Sequence, residues 1–475
     1  MRYLWSILLV LLLLGVAFGP ELIRPEPHAD DTLVLLSPHW EGIGHEFGRG
    51  FKDYWRKKTG REVQLDWWDV GGGSGEIRRF ILEKARQAEW EKGDGIGVDI
   101  FFGGGTRDYA NFCDESWLTR NDLNLPNGLL EPYSPPEASD GRIPAEVLGQ
   151  KLRDPQGRWH AACMSSSGIV YNRLVCERAG LQPPTTWADL GHPSYYGWVS
   201  LGDPTRSGAM HLFFEVMLQA QGWDDGWGVI VRMSANAPAF NEGAGSVPRD
   251  VSIGQAVAGP CLDFYAAAPV RRQGATHLEF VFPKGLSVVT PDSIAIFQNA
   301  PHPEVATAFV DFVLSEEGQR LWYQKRETPG GPVKFDLERL PVLKELYERG
   351  LPTHTVARPF AEGQAFAYDE EKGGQRWGFL EELLRATVID VHEDVKAAWR
   401  AAIKANRAGD LGEALGRPPF DETTVFELAK QKTSVSGQNE LRRRWMGWAR
   451  SRYQAIRRAA ESGAPPPDYQ PAPTE

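Results

Sequence analysis

At 475 residues and 52.9 kDa the chain is too long for one ordinary hydrophobic core, so two or three packed units are expected. Hydrophobic residues at 42% and charged residues at 24% are globular values that exclude a fibrous or largely disordered chain, and 50 Gly with 34 Pro imply many tight loops. A net charge of -11 opposes a nucleic-acid partner, because phosphate-backbone binding needs a basic surface.

The chain opens with Arg2, an apolar run from Tyr3 to Phe18 broken only by Ser6 and Gly15, and a polar stretch from Arg24 to Asp31. This is the pattern of an export signal. The run is short for a membrane span, yet Pro20 and the lack of a clean small-x-small site leave two readings of residues 1–30, a cleaved signal peptide or a retained anchor. No cysteine follows the run closely, which argues against a lipoprotein anchor, and no later run is apolar enough to span a bilayer. The rest is expected in the periplasm or cell envelope. Cys113, Cys163, Cys176 and Cys261 show no CxxC pairing, against a zinc ribbon or thioredoxin-like site. Export would permit disulfides, but the favoured reading is small buried apolar side chains.

Leu33 to Leu36 reads as a buried strand, and Ile43, Phe47, Phe51, Tyr54 and Trp55 follow at helical spacing. Val63 to Trp67 reads as a second strand, Gly75 to Trp90 as an amphipathic helix, and Val98 to Phe102 as a third strand ending in three glycines. That succession is βαβαβ, a parallel sheet covered by helices. Residues 120–160 look like connecting loops, and WHAACMSSSGIVY (159–171) is an extended stretch able to pass between lobes. A second α/β unit follows, with a strand at Trp198 to Leu201, a turn at Asp203 to Gly208 and a helix from His211 to Gln221. Extended residues from Phe280 lead back to a strand at Ser293 to Phe297 and a helix presenting Val305, Phe309, Phe312, Val313 and Leu321. Two passages between lobes make a hinge. Residues 379–461 have a helical pattern, and the Pro-rich tail is expected to be disordered.

Three segments in order resemble the extracellular solute-binding proteins of ABC importers, in the branch of ferric-ion, phosphonate, thiamine and sugar-phosphate binders. They are VDIFFGGGTRDY (98–109), SSSGIVYNRLV with PPTTWADLGHPSYYGWVSLGDPTRSG (165–208), and PDSIAIFQNAPHPEVATAFVDFVLSEEGQRLWY (291–323). The resemblance covers residues 32–330 and implies a type II periplasmic-binding-protein-like α/β fold. Two lobes would be joined by a two-crossing hinge, with a C-terminal helical extension. The expected division is lobe 1 at 31–160, lobe 2 at 161–285, a return to lobe 1 at 286–340, the extension at 341–462 and a disordered tail at 463–475. It further implies a monomer that captures a small ligand by hinge closure and delivers it to a membrane permease, without catalysis or a cofactor.

Ligands of open α/β sheets bind where loops leave the strand ends. Ser37 and His39 follow the first strand, and Gly104, Gly105 and Thr106 follow the third, where glycine admits close backbone approach. Ser165, Ser166 and Ser167 lie at the crossing, and Thr205, Ser207 and Gly208 open a helix of the second unit. Helix starts suit an oxyanion, so a phosphonate, phosphate ester or carboxylate is favoured. The same residue types also serve as plain N-caps. The resemblance places Asp263 and Tyr265 in a ligand-contacting segment. Asp263 either pairs with an amine of a zwitterionic ligand or is a structural carboxylate. Ferric-ion binders use two adjacent tyrosines and an early histidine. Here the pair is Phe264-Tyr265, so Fe(III) as transported ligand, held by His39 and Tyr265, is the alternative.

No zinc-protease HExxH, P-loop or Gly-x-Ser-x-Gly elbow is present. Other classes left open are an exported enzyme on this scaffold and a membrane-anchored sensor or scaffold. Arg442, Arg443, Arg444, Arg450 and Arg452 suggest a nucleic-acid or lipid surface, but Leu441, Trp445, Trp448 and Ile456 share a helical face, which favours a docked helix with a basic outer side.

Overall fold

The computed structural model describes residues 29–68, 70–71, 74–274, 276–349, 359–360, 366–431 and 435–474. The apolar run at 3–18 lies outside them.

Strands β1 (Asp31–Leu36), β2 (Val63–Trp68) and β3 (Ile100–Gly105) alternate with helices α1 (Glu41–Thr59) and α2 (Ser74–Gln87). β1 pairs in parallel with both β2 and β3, as a βαβ succession requires. Side chains of a strand alternate between faces. Leu33 and Leu35 therefore meet Ile43, Phe47, Phe51 and Trp55 of α1, while Val34 and Leu36 meet Ile77, Ile81 and Leu82 of α2. Those α1 residues recur every fourth position and are essentially sealed from water; each such burial contributes roughly 1.5–3 kcal/mol. Gly60, in the left-handed region at φ 76°, ends α1 by donating its N–H to the Arg56 carbonyl.

After α3 (Thr106–Cys113) and the short β4 (Leu130–Glu131), the long strand β5 (His160–Asn172) crosses into the second lobe with all of its residues buried. That lobe carries α4 (Gly208–Ala220), α5 (Trp223–Asn236), β6 (Ala258–Leu262), α6 (Asp263–Gln273) and β7 (Leu278–Val281). The chain returns on β8 (Val289–Phe297), followed by α7 (Pro303–Leu314), α8 (Glu316–Tyr323) and α9 (Lys344–Glu348). The main sheet has eight strands in the order β6-β5-β8-β3-β1-β2, with β7 on β5 and β4 on β8. Ser166 of β5 still pairs with β8, whereas Ser167 pairs with β6. The changeover between lobes falls between those two serines. The sheet is mixed, because the returning β8 runs antiparallel to both β3 and β5.

Five further α-helices follow among the described residues, the first continued by a π-helical turn at Arg385–Ile389: α10 (Glu370–Leu384), α11 (His392–Lys404), α12 (Asp410–Gly416), α13 (Glu422–Ala429) and α14 (Val435–Ser462). They share one core with the second lobe, in which Leu380, Leu384, Trp399, Trp445 and Ile456 join Ile169, Phe213 and Met217. Trp445, Ala449, Tyr453 and Ile456 dock α14, and its outward arginines are largely paired, as in Arg443–Glu440, Arg450–Asp394 and Arg457–Glu461.

Two expected boundaries change. The return to lobe 1 continues past residue 340, because Val342, Leu343 and Leu346 complete the first lobe's core. The tail expected to be disordered instead folds back along α14. The indoles of Trp445 and Trp448 donate to the carbonyls of Pro473 and Gln470, the Tyr469 hydroxyl donates to Pro418, and Ala472 is buried. The prolines of the segment lack N–H donors but its carbonyls remain, and carbonyls are what the indoles bind, while Ala472 donates its N–H to the Pro419 carbonyl. Among the described residues no helix is long and apolar enough to cross a membrane.

Candidate ligand-binding cleft

The candidate cleft is built on the changeover region of β5 and β8. Asp263, the first residue of α6, is buried and accepts from the Ser166 N–H (3.0 Å), the Ser166 hydroxyl (2.8 Å) and the Phe264 N–H (2.8 Å). These bonds tie the crossing strand to a helix start. Burial raises the Asp263 carboxyl to about 6 against the pull of those donors and of Arg339. The Ser167 hydroxyl oxygen is buried without a hydrogen-bond partner, and Ser165 is buried beside it.

Arg339, which the sequence reading missed, is the cation of this region. Buried in the loop after α8, it pairs with Asp292 of β8 and lies 3.9 Å over the Phe264 ring of the other lobe. Its Nε has no partner among the described residues. His39 packs edge-on against Phe102 (4.9 Å), with Nε2 3.8 Å from the Asp292 carboxylate and neither ring nitrogen hydrogen-bonded. Burial and the Arg339 charge push its pKa well below the ordinary value, so it is neutral. The Ser37 hydroxyl accepts from the His39 N–H. Tyr265 stands 40% exposed beside Phe264; burial raises its phenol and Arg339 pulls it partly back. A guanidinium acting on both His39 and Tyr265 works against a trivalent cation between them.

The first-lobe wall is the end of β3 and the start of α3. Gly103 (φ 105°) and Gly104 (φ 87°) occupy the left-handed region, and a Cβ on Gly103 would fall 2.4 Å from the His39 ring. Gly105 is exposed, N-caps α3 and is the register partner of Asp292, which brings the Arg339 pair to the same strand end. The Thr106 hydroxyl donates to Glu370 of α10 at 2.8 Å. Arg107 lies 4.5 Å over the Trp377 ring and donates to the Gly374 carbonyl, while its buried Nη1 has no partner among the described residues. Burial lowers its pKa, only partly offset by the charge of Asp108.

In the second lobe, Ser207 N-caps α4 by accepting from the Met210 N–H and also accepts from Ala244; the Thr205 hydroxyl donates to Asp203. These hydroxyls are used within the lobe, as ordinary caps and turns, and Gly208 only begins the helix. His211, one turn further, is fully buried and stacks on Trp377 with centroids 3.8 Å apart. Its pKa falls to about 3 through burial and repulsion from Arg107 and Arg376. Arg107 and His211 stood in the sequence inside segments already singled out; Trp377 and Glu370 gave no local signal. Among the described residues no cluster of three or more His, Cys, Asp or Glu is arranged to hold a metal, and the four cysteines are free.

Two α/β lobes built on mixed strands, joined by two crossings and facing each other across this cleft, are the type II periplasmic-binding-protein fold. Residues 122–341 match the family described as bacterial extracellular solute-binding protein. The chain is 31% identical over 188 residues to the phosphoglycerate transport regulatory protein PgtC of Salmonella typhimurium, a match spanning 40% of this chain and 44% of that one. It thus spans less than half of that relative's length. Among solved structures it is similar to the periplasmic binding protein AfuA from Actinobacillus pleuropneumoniae with fructose-6-phosphate bound (TM-score 0.54, 19% identity, 79% of this chain and 99% of that one). It is also similar to iron-bound HitA from Pseudomonas aeruginosa (TM-score 0.51, 18% identity, 70% and 92%).

Proposed function

We propose that this chain is the extracytoplasmic solute-binding component of an ABC importer, holding a small phosphate ester, phosphonate or carboxylate between its lobes and performing no catalysis. The observation that carries the anion reading is Arg107. Its guanidinium stands in the first turn of α3, desolvated, with a buried N–H group unpartnered among the described residues. A desolvated cation at the positive end of a helix is stabilised by an anion. Arg339 and Gly105 extend the same surface toward the changeover region. The phosphoglycerate in the name of PgtC and the sugar phosphate bound to AfuA belong to those proteins, and they support a phosphate ester here. Hinge movement at Ser166–Ser167 would present the loaded form to a permease, from the periplasm or from a chain tethered by its apolar start.

A thermal-shift panel of 3-phosphoglycerate, fructose 6-phosphate, phosphonates, carboxylates, thiamine and Fe(III) tests this. At about 100 times Kd a ligand adds about 2.7 kcal/mol to folded-state stability. The expected result is one large shift from an anion, removed by Arg107→Gln. A shift from Fe(III) alone, abolished by Tyr265→Phe, would replace this reading with the ferric one.

A further inference from the structure

The first helix of the extension does not stop at the second lobe. It is rooted there by Arg376, whose guanidinium binds the Glu215 carboxylate of α4 through Nε and Nη2 with both side chains sealed from water. Asp369 and Gln219 exchange a second pair of hydrogen bonds, Asp369 N–H to Gln219 Oε1 at 2.9 Å and Gln219 Nε2 to the Asp369 carbonyl at 3.0 Å. From that root the segment reaches lobe 1. The Gln150 amide donates to the Tyr368 carbonyl, Thr106 to the Glu370 carboxylate, and Arg107 to the Gly374 carbonyl at 3.3 Å. Trp377 touches both lobes at once, with His211 stacked on it and Arg107 against it.

We propose that α10 is a built-in lock on the cleft, with Glu370 seated as an internal carboxylate guest at the start of α3 and Trp377 bridging the lobes, so that an incoming anion must displace Glu370. This rests on the anion reading above for the identity of the displacing ligand, and on the contacts alone for the lock. Thr106 is the first residue of α3, so its hydroxyl holds the Glu370 carboxylate beside the helix start, where the dipole favours negative charge. It is held there by one hydroxyl and the more distant charge of Lys151, without an ion pair among the described residues, whereas the root of α10 is a buried charge pair. The weak side of the strap therefore faces lobe 1. Rotation at Ser166–Ser167 breaks the Thr106 and Arg107 contacts while α10 travels with lobe 2.

The full chain, as wild type, Glu370→Gln, Glu370→Ala and Trp377→Ala, is compared in two measurements after circular dichroism confirms folding. Hydrogen exchange of residues 103–108, with the radius of gyration from small-angle scattering, reads the lock without any ligand. Calorimetry with inorganic phosphate and 3-phosphoglycerate reads the seat. Expected are faster exchange and a larger radius in Glu370→Ala and Trp377→Ala, and binding about fivefold or more tighter in Glu370→Gln than in wild type. Unchanged exchange in both variants, or weaker binding in Glu370→Gln, overturns the lock even if wild type binds the anion well. Faster exchange with no heat from either probe in any of the proteins upholds the lock and removes the anion reading instead.

Discussion

The Arg376–Glu215 pair offers the sharpest energetic test. Both side chains are 0% exposed, three guanidinium-to-carboxylate contacts lie between 2.7 and 3.2 Å, and the Arg376 guanidinium also stacks 4.9 Å over Trp223. Replacing Arg376 by Leu leaves the Glu215 carboxylate without its guanidinium in a sealed site, and such an uncompensated charge costs about 3–5 kcal/mol. Glu422, the other partner of Arg376, keeps Lys372 at 2.8 Å, so it adds little to that cost. For a body of lobe 2 and the extension, the melting temperature should fall on the order of 10 °C. Urea unfolding followed by tryptophan fluorescence of Arg376→Leu, Glu215→Leu and the double variant measures the coupling. Each single change should cost about 3–5 kcal/mol, and the double should recover to within about 2 kcal/mol of wild type. Single losses below about 1 kcal/mol, or losses that add in the double variant, would refute a desolvated pair at the root of α10.

Asp263 should make stability depend on pH. Its folded carboxyl, raised to about 6 from 3.8, holds its proton more tightly than the unfolded chain does, so this contribution is full below about pH 4 and lost as pH rises through 6. The stability difference between wild type and Asp263→Asn should therefore fall on the order of 2–3 kcal/mol from pH 4 to 7, and a flat difference would contradict the burial argument. Gly103→Ala forces a side chain into φ 105° against the His39 ring, and denaturation should register a loss of at least about 1–2 kcal/mol. Arg339→Gln should weaken anion binding about tenfold or more by calorimetry, with a smaller effect from Asp292→Asn. Mass spectrometry of the unreduced, unfolded protein after alkylation should find four modified thiols, while in the native state burial, which raises the Cys163 thiol to about 12, should leave Cys163 unreacted.

The fold was legible where one periodicity spoke for one contact. Leu33–Leu36 alternates onto two helix layers, and Ile43, Phe47, Phe51 and Trp55 mark one stripe, so β1 and α1 could be read directly. The crossing was legible because its serines and small residues stood between two α/β patterns. The site was less so. Ser207 and Thr205 have the composition of ligand loops, yet helix capping asks for the same residues, and that is where their hydroxyls go. Arg339 was invisible because its role depends on Asp292, Phe264 and Trp322, each distant in the chain. Trp377 and Glu370 were hidden for a related reason: a helical stripe reports the face a helix buries, not the second body it bridges. The tail misled because proline richness removes donors without removing acceptors.

The route of the chain through β5 sets an order of assembly. Residues 167–281 hold the strands of the second lobe, so that lobe's pairing of β5 with β6 and β7 is complete once residue 281 has been made. The first lobe's sheet begins earlier and closes later, since β3, already paired with β1, lacks its second neighbour until β8 is synthesised, while the second lobe's core still waits for the helices of the extension. The sheet that starts the chain is thus left open while the strands of the second lobe pair. During that interval β3 presents an open apolar edge at Ile100–Phe102, the kind of edge that pairs with other chains. Synthesis that pauses before residue 297 should yield aggregation through the open edge of lobe 1.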